Sequence, residues 1–287
     1  MTLVIAWVRR RKDGQEELVL ASDSRIRSGG NLDCAPKLIP LPRGDSAIAF
    51  AGDTYFAFPL MLQLVQAVSS YSPLLDRATD YSSLRSHTLS IFNSMVDSFE
   101  TDIDGLQVPD TEFILAGYSW RRRTFEIDVL FYNKTEKRFI HSHAKKGIGN
   151  FGLLKVSGDR SGDALSRLYG LLRARFGNES VTSSSTLKRR FDMEPFEVLR
   201  DMIRESGHYD TVGGPPQILK ITLYMECRRF GVYWPSRESG AVYLGGRRLL
   251  PYENIDSWTL DPDTFSITHP QFATQEEEET NEQTDQC

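Results

Sequence analysis

Thr2, the residue after the initiator methionine, is the first candidate for chemistry in the opening sequence MTLVIAWVRRR. Threonine is small enough for Met1 to be removed in a bacterial cytoplasm, which would leave a hydroxyl and an α-amine on one residue. A threonine hydroxyl is a weak nucleophile that needs a nearby base. An α-amine has a reference pKa of roughly 7.7–8.0, against about 10.4 for lysine, so it can act as that base near neutral pH. Many cytosolic proteins begin Met-Thr, so Thr2 alone only raises the hypothesis of an N-terminal nucleophile.

The histidines and cysteines give weaker indications of chemistry. His141 and His143 have the i, i+2 spacing of side chains on one face of a strand, which could suit a metal ion. The sequence shows no third ligand for them, so we interpret both as surface-facing strand residues and predict no metal site and no cofactor. Cys34, Cys227 and Cys287 are odd in number, far apart and without a CxxC motif, which favours free thiols in a reducing compartment.

The composition favours a globular protein of the cytoplasm. The chain has 287 residues, of which 40% are hydrophobic and 25% charged, and its formal net charge is −5. A negative net charge argues against a nucleic-acid-binding surface, and no apolar run reaches the roughly 20 residues of a membrane span. Arg9, Arg10 and Arg11 follow the first apolar run, whereas a secretory signal peptide carries its positive charge before that run. We therefore predict a cytoplasmic protein that binds neither nucleic acid nor membrane.

The apolar periodicity predicts that runs of strands alternate with pairs of helices. Helices are predicted at residues 56–68 and 82–100, after Ser157-Gly158, and at residues 191–207; the first is apolar over most of its surface and is expected to be buried. This order indicates packed layers rather than a doubly wound βαβ sheet. We predict an α+β fold, a four-layer αββα sandwich with two facing antiparallel sheets and a helix pair on each outer side. The strands are predicted at residues 3–8, 18–21, 37–41, 46–51, 112–118, 124–132, 137–143, 217–225 and 229–234.

The pattern of apolar and polar residues changes after Trp234. Residues 1–234 are predicted to form one domain, and residues 235–269 a β-rich extension that includes a small hairpin around Gly245-Gly246. Residues 270–287 form an acidic tail without large apolar residues, which we expect to be disordered.

Several short segments occur in an order that resembles a known enzyme family. TLVIAWV, LVLASDSR, APKLIPLP and AIAFAGDTYFAF, followed by an apolar helix, resemble the N-terminal half of proteasome β-type peptidases, above all the bacterial HslV-type and Anbu-type members. The run from Ser22 to Arg25 is particularly similar to the Anbu group. The resemblance covers about residues 2–234, is strongest over residues 2–68, and is one of pattern rather than close identity. It implies an N-terminal nucleophile hydrolase with an αββα sandwich.

The resemblance implies roles for individual residues. Thr2 matches the nucleophile, with its own amine as the base. Asp23, in LASDSR, matches the aspartate that orients a lysine, and Lys37, in APKLI, matches that lysine, whose positive charge would favour the deprotonated amine and hydroxyl. Gly52, in FAGDT, matches the glycine whose backbone N–H stabilises the oxyanion. Ser157, in KVSGDRSG, matches the serine that supports the amine.

The sequence also departs from the family pattern. Asp210, in HYDTVGG, matches only loosely the late aspartate that completes the network, and it could be out of register by one position. The serine expected after that aspartate is not evident, because Val212-Gly213-Gly214 occupies the stretch. The family usually has a second glycine after Gly52, where this chain has Asp53. The side chains predicted to shape a substrate pocket flank Gly52 and Asp23, and they are Phe50, Thr54 and residues 26–31.

The resemblance implies a threonine peptidase that forms an acyl-enzyme on Thr2. It implies a peptide or unfolded-protein substrate and a homo-oligomer built as a ring or a helical stack, and it leaves room for an ATP-dependent unfoldase as partner. Two alternatives stay open. One is a catalytically inactive, proteasome-like scaffold or ring subunit that binds a partner, and the other is an amidase that acts on a small molecule.

Overall fold

The strands and helices of the protein come from a computed structural model, which describes residues 2–96, 98, 110–144, 147–182 and 189–269. The first strands along the chain are β1 (Leu3–Arg10), β2 (Glu16–Ser22), β3 (Ile26–Arg27), β4 (Asn31–Leu32), β5 (Leu38–Pro40) and β6 (Ser46–Gly52). They are followed by α1 (Thr54–Ser70), α2 (Ser72–Leu75) and α3 (Tyr81–Val96), and then by β7 (Thr111–Ser119), β8 (Thr124–Asn133), β9 (Arg138–His143) and β10 (Leu154–Gly158). The rest are α4 (Ser161–Phe176), α5 (Asn178–Thr182), α6 (Glu194–Arg204), β11 (Gln217–Thr222), β12 (Cys227–Tyr233), β13 (Val242–Leu244), β14 (Arg247–Arg248), β15 (Thr259–Leu260) and β16 (Ile267–Thr268).

Two large sheets organise these strands. The larger sheet has nine strands, in the order β10-β1-β2-β11-β12-β13-β14, with β15 paired to β12 and β16 paired to β15. The smaller sheet has five strands in the order β5-β6-β7-β8-β9, and β3 and β4 form a separate two-stranded ribbon. All of the strand pairs are antiparallel apart from the pairing of β12 with β15.

The apolar run at the start of the chain forms β1, which is buried on both faces. Leu3, Ile5 and Trp7 pack into one hydrophobic cluster with residues of α4 and α6. Val4 and Ala6 alternate with them and face the second sheet in another cluster. The continuous apolar sequence follows from this position, because a strand covered on both sides has no solvent-facing residues.

The prediction of a four-layer αββα sandwich is wrong. The protein is a mostly antiparallel β-sheet protein with few helices: strands account for 34% of its residues and helices for 29%. The prediction gave the helix pairs too much weight and treated the chain after residue 234 as a separate extension. In the structure β13 and β15 both pair with β12 and widen the larger sheet, while α2 and α5 are only four and five residues long. An open sheet edge attracts further strands because its backbone groups need partners, and hydrophobic periodicity does not reveal this pairing.

The individual helices and strands were predicted more accurately than the fold class. The helices predicted at residues 56–68 and 191–207 are confirmed as α1 and α6, with shifted ends, and the one predicted at residues 82–100 is confirmed as α3 up to Val96. The expectation that α1 is buried over most of its surface is wrong, because Leu62 is 58% and Tyr55 64% exposed. None of the described helices has the length and apolar character needed to cross a membrane. The acidic tail at residues 270–287 lies outside the described residues.

Candidate active site

Thr2 lies immediately before β1 and is fully buried. Its carbonyl oxygen accepts a hydrogen bond from the Asp159 amide at 3.2 Å. Gly158, the last residue of β10, lies opposite Leu3 and has a φ of 114°. A Cβ atom on Gly158 would lie 1.8 Å from the carbonyl oxygen of Thr2. The backbone around Thr2 is therefore held in a position that requires glycine at 158.

Asp23 connects the start of β1 to Lys37. Its carboxylate is buried, and one oxygen, Oδ1, accepts hydrogen bonds from the Leu3 amide at 3.0 Å and from Lys37 Nζ at 2.8 Å. The other oxygen, Oδ2, accepts from the amides of Arg25 and Gly213, each at 3.1 Å. The ammonium group and the amide beside Thr2 thus share one carboxylate oxygen, which places the positive charge close to the first residues of β1.

Lys37 is the buried cation of this cluster. Its side chain is 0% exposed, and its ion pair with Asp23 lies wholly inside the protein. Burial lowers the pKa of Lys37 below its usual value, and the carboxylate of Asp23 partly counteracts that effect. A charge in such low-dielectric surroundings acts strongly on its neighbours. Lys37 is therefore placed to favour the neutral form of an α-amine on Thr2.

A cleft of about 560 Å³ adjoins this cluster, although Thr2, Asp23 and Lys37 are not among its lining residues. Gly52, at the end of β6 with a φ of 115°, forms part of its wall together with Gly158 and Asp159. Thr2 is joined to this wall by its carbonyl oxygen, which accepts from the Asp159 amide and lies beside Gly158. The glycine predicted to stabilise an oxyanion and the residues that hold Thr2 therefore belong to the same cleft.

The cleft includes only part of the predicted pocket. Thr54 and residues 26–28 line it, whereas Phe50 is 0% exposed and packs edge-on against Phe58 at a ring distance of 5.2 Å in the core beneath α1. Asp53, which replaces the second glycine of the family pattern, lines the cleft and accepts from the Tyr55 amide at 2.8 Å as the N-cap of α1. The remaining lining residues are Ala51, Asp110 and Glu112, so the cleft has an acidic wall.

Ser157 lies one position along β10 from the glycine that contacts Thr2. It pairs with Val4 in the register of β1 and β10, and strand alternation places the side chain of Thr2 on the same face as Val4 and Ser157. The Ser157 hydroxyl is buried and has no hydrogen-bond partner among the described residues. Leaving a buried hydroxyl unpaired is unfavourable by about 1–3 kcal/mol, so this atom is well suited to bind an α-amine on Thr2.

Asp210 lies in a neighbouring loop. Its carboxylate accepts from the Gly207 amide at 2.6 Å, which closes a turn within the loop. Arg25 connects the loop to the cluster, because its guanidinium donates to the carbonyl oxygens of Gly207 at 2.7 Å and Asp210 at 3.3 Å. The same guanidinium forms a bidentate ion pair with Asp33. The structure thus places Asp210 beside Arg25 instead of beside Lys37 and Asp23.

Gln217 supports the cluster and was missed in the sequence. Its Oε1 accepts from the Lys37 amide at 3.1 Å, while its Nε2 donates to the carbonyl oxygens of Asp23 at 3.2 Å and Ala35 at 2.7 Å. The side chain therefore holds together the two segments that carry the ion pair. A single glutamine at the head of the apolar strand QILKIT was the signal that could have identified it.

No family model matches this chain, and no curated protein matches it significantly. The class of site is therefore argued from its geometry. That geometry consists of a threonine at the start of a buried strand, a buried lysine–aspartate pair at the next residue's amide, and a cleft with a glycine in its wall.

Replacing Gly158 with alanine should displace Thr2. The added Cβ would lie 1.8 Å from the Thr2 carbonyl oxygen, and the positive φ disfavours any side chain. We expect the free energy of unfolding in urea to fall by at least about 2 kcal/mol. Gly170→Ala is the matched control, because a Cβ at Gly170 in α4 meets no atom within 4 Å, and alanine there should raise stability by about 0.5–1 kcal/mol. Equal effects of the two substitutions would contradict the close contact at Thr2.

Proposed function

We propose that the protein is an N-terminal threonine hydrolase that cleaves peptide bonds, with Thr2 as the nucleophile after removal of Met1. The observation that carries the proposal is the fully buried pair of Lys37 and Asp23, which is hydrogen-bonded to the Leu3 amide. A buried ion pair rarely increases stability over an apolar packing of the same volume. Its place beside the one residue that can carry both a hydroxyl and an α-amine supports a catalytic purpose.

The proposed reaction uses the α-amine of Thr2 as general base and general acid. The amine takes the proton from the Thr2 hydroxyl as Oγ1 attacks the peptide carbonyl carbon, and a tetrahedral intermediate forms. Lys37 keeps the amine neutral before attack, and the N–H of Gly52 stabilises the oxyanion. The protonated amine then gives its proton to the leaving amine as the peptide C–N bond breaks. Water attacks the resulting ester with the same amine as base, which releases the acid and restores Thr2.

The acidic wall of the cleft indicates which charge a substrate would carry. Asp53, Asp110, Glu112 and Asp159 line it, against one basic lining residue, Arg27, and Lys155 pairs with Glu112 from outside the lining. Unlike charges across a binding surface increase the rate of encounter and fix the orientation of a ligand. The proposed substrate is therefore a peptide or unfolded protein segment that carries a basic side chain.

The proposal also covers the compartment, the oligomeric state and the partner of the enzyme. We place it in the cytoplasm as a homo-oligomer, in which a ring or helical stack would limit access to the cleft, with an ATP-dependent unfoldase as a possible supplier of substrate. Cys34 and Cys227 are free thiols, which supports a reducing compartment.

Intact-mass measurement of the purified chain tests the proposal. We expect the mass to show the loss of Met1 and, after incubation with a threonine-directed acylating probe such as a β-lactone, the addition of a single adduct. The Thr2→Ala variant, treated in the same way, should lose Met1 and remain unmodified. A chain that keeps Met1 has no free threonine amine, and this outcome would favour the alternative of a non-catalytic scaffold that binds a partner.

A further inference from the structure

The pairing of β8 with β9 supplies a third side chain to the two strand histidines. His141 and His143 are two residues apart in β9, so they share one face of the smaller sheet. In the antiparallel register His143 lies opposite Asp128 of β8, and His141 lies opposite Leu130. Asp128 therefore extends from the same face as the two histidines and directly beside one of them.

The three side chains converge within the reach of one ion. One ligand atom from each of Asp128, His141 and His143 can be chosen so that all lie within 4.8 Å of one another. His143 Nδ1 lies 2.5 Å from Asp128 Oδ1, and the two imidazole rings stand nearly perpendicular with centroids 5.2 Å apart. Ligand atoms about 2.1 Å from a tetrahedral Zn²⁺ are separated by about 3.4 Å, so side-chain shifts of about 1 Å would complete the geometry.

Asp128 has one carboxylate oxygen fixed and the other directed at the histidines. Its side chain is 0% exposed, and Oδ2 accepts a hydrogen bond from Arg85 Nη1 at 3.3 Å. The other oxygen, Oδ1, lies 2.5 Å from His143 Nδ1. A carboxylate oxygen and a ring nitrogen this close need a proton or a metal ion between them. A metal ion shared with His141 accounts for the convergence of all three side chains, and Arg85 would then orient Asp128.

The surroundings allow an ion to enter and to bind. The side chain of His143 is 38% exposed, so one side of the cluster is open to water. His141 is also partly exposed, so neither ring is sealed inside the protein.

We propose that Asp128, His141 and His143 bind one divalent transition-metal ion of the Zn²⁺ class. Two imidazoles and a carboxylate suit zinc and its neighbours rather than Mg²⁺ or Ca²⁺, which prefer oxygen ligands. With three protein ligands, at least one coordination position remains for water or another small ligand on the exposed side. The site lies on β8 and β9 and shares no residue with the cleft near Thr2, so it does not depend on the proposed peptidase activity.

Calorimetric titration of the full-length, tag-free protein with ZnCl₂ tests this proposal, after treatment with a chelator and its removal. We expect one saturable site with a Kd of about 10 μM or tighter. His143→Gln removes a partly exposed ligand and should weaken binding at least about 10-fold. His87→Gln, in α3 and outside the cluster, is the matched control and should bind like the unaltered protein.

Circular dichroism of each variant separates loss of the ligand from loss of the fold. The proposal holds if folded His143→Gln binds more weakly while His87→Gln does not. It is overturned if the unaltered protein shows no saturable binding of Zn²⁺, or if the two variants bind with the same affinity. Asp128→Asn gives a second check on the ligand set, because it keeps the shape of the side chain while removing the charge.

Discussion

Thr2→Ala should abolish peptide hydrolysis and leave the fold intact. The substitution removes the proposed nucleophile but keeps the α-amine, the Lys37–Asp23 pair and the backbone contacts of residue 2. Loss of a covalent nucleophile reduces turnover by at least about 10³-fold in hydrolases of this kind of chemistry. Hydrolysis of a fluorogenic peptide is the measurement, and an arginine next to the scissile bond suits the acidic wall of the cleft. Unchanged turnover in Thr2→Ala would refute the proposed function.

Thr2→Ser is the matched control for that experiment. Serine keeps both the hydroxyl and the amine, and it also permits removal of the initiator methionine, so we expect hydrolysis to persist at a reduced rate. The pH dependence offers an independent readout. The base must be neutral, so kcat/KM should rise with pH through the pKa of the α-amine. The nearby ammonium of Lys37 disfavours the protonated amine. The midpoint of the increase in kcat/KM should therefore lie at a pH below the reference pKa of roughly 7.7–8.0.

Several residues of the candidate site could be proposed from the sequence because they lie at the ends of segments with a clear strand pattern. Asp23 follows the apolar strand β2, Lys37 precedes β5, and Gly52 ends β6. Each position is a strand end, and strand ends are where a sheet can present polar groups to a cleft. The order of these segments, and their resemblance to a known family, suggested that they meet, and the structure brings Asp23 and Lys37 to within 2.8 Å.

The supporting contacts could not be predicted, because they join segments far apart in the chain. Gly213 donates to Asp23 across 190 positions of the sequence, and Gln217 reaches the same residue across 194. Neither residue carries a pattern that identifies its partner. The position of Asp210 depended in the same way on Arg25, whose guanidinium holds the loop that contains it.

The third ligand of the proposed metal site could not be predicted, because strand register determines which side chains lie next to the two histidines. Asp128 lies between Ile127 and Val129 and two residues after Glu126 in a mostly apolar strand, and nothing in this pattern marks it as a ligand. Only the pairing of β8 with β9 places it opposite His143, and a shift of one residue would turn it to the other face of the sheet. The fold class was misjudged for a related reason, since the pairing of β13 and β15 with β12 is set by an open edge and not by periodicity.

Asp23→Asn should destabilise the protein more than any change on its surface. The carboxylate accepts four hydrogen bonds, and an asparagine would direct its NH₂ group at two of those donors. It would also leave the ammonium of Lys37 buried without a counter-charge. Removing one partner of a buried pair lowers the free energy of unfolding by about 3–5 kcal/mol, which urea unfolding at neutral pH would measure. Glu226→Gln removes an ion pair with Arg228 whose two side chains are about half exposed and, as the control, should leave stability nearly unchanged.

The stability lost in Asp23→Asn should depend on pH if the cause is the missing charge, and not if the cause is a change of side-chain shape. Lys37 in the unfolded chain has a pKa of 10.5, and burial lowers this pKa in the folded state. Without the carboxylate of Asp23, which raises it, the pKa in the folded variant should fall further. Between the two pKa values the unfolded state binds more protons than the folded state, so stability increases with pH. The loss of stability caused by Asp23→Asn should therefore be greatest near neutral pH and shrink toward about pH 10. A loss that is the same from pH 7 to pH 10 would show that Lys37 carries no charge in the buried pair.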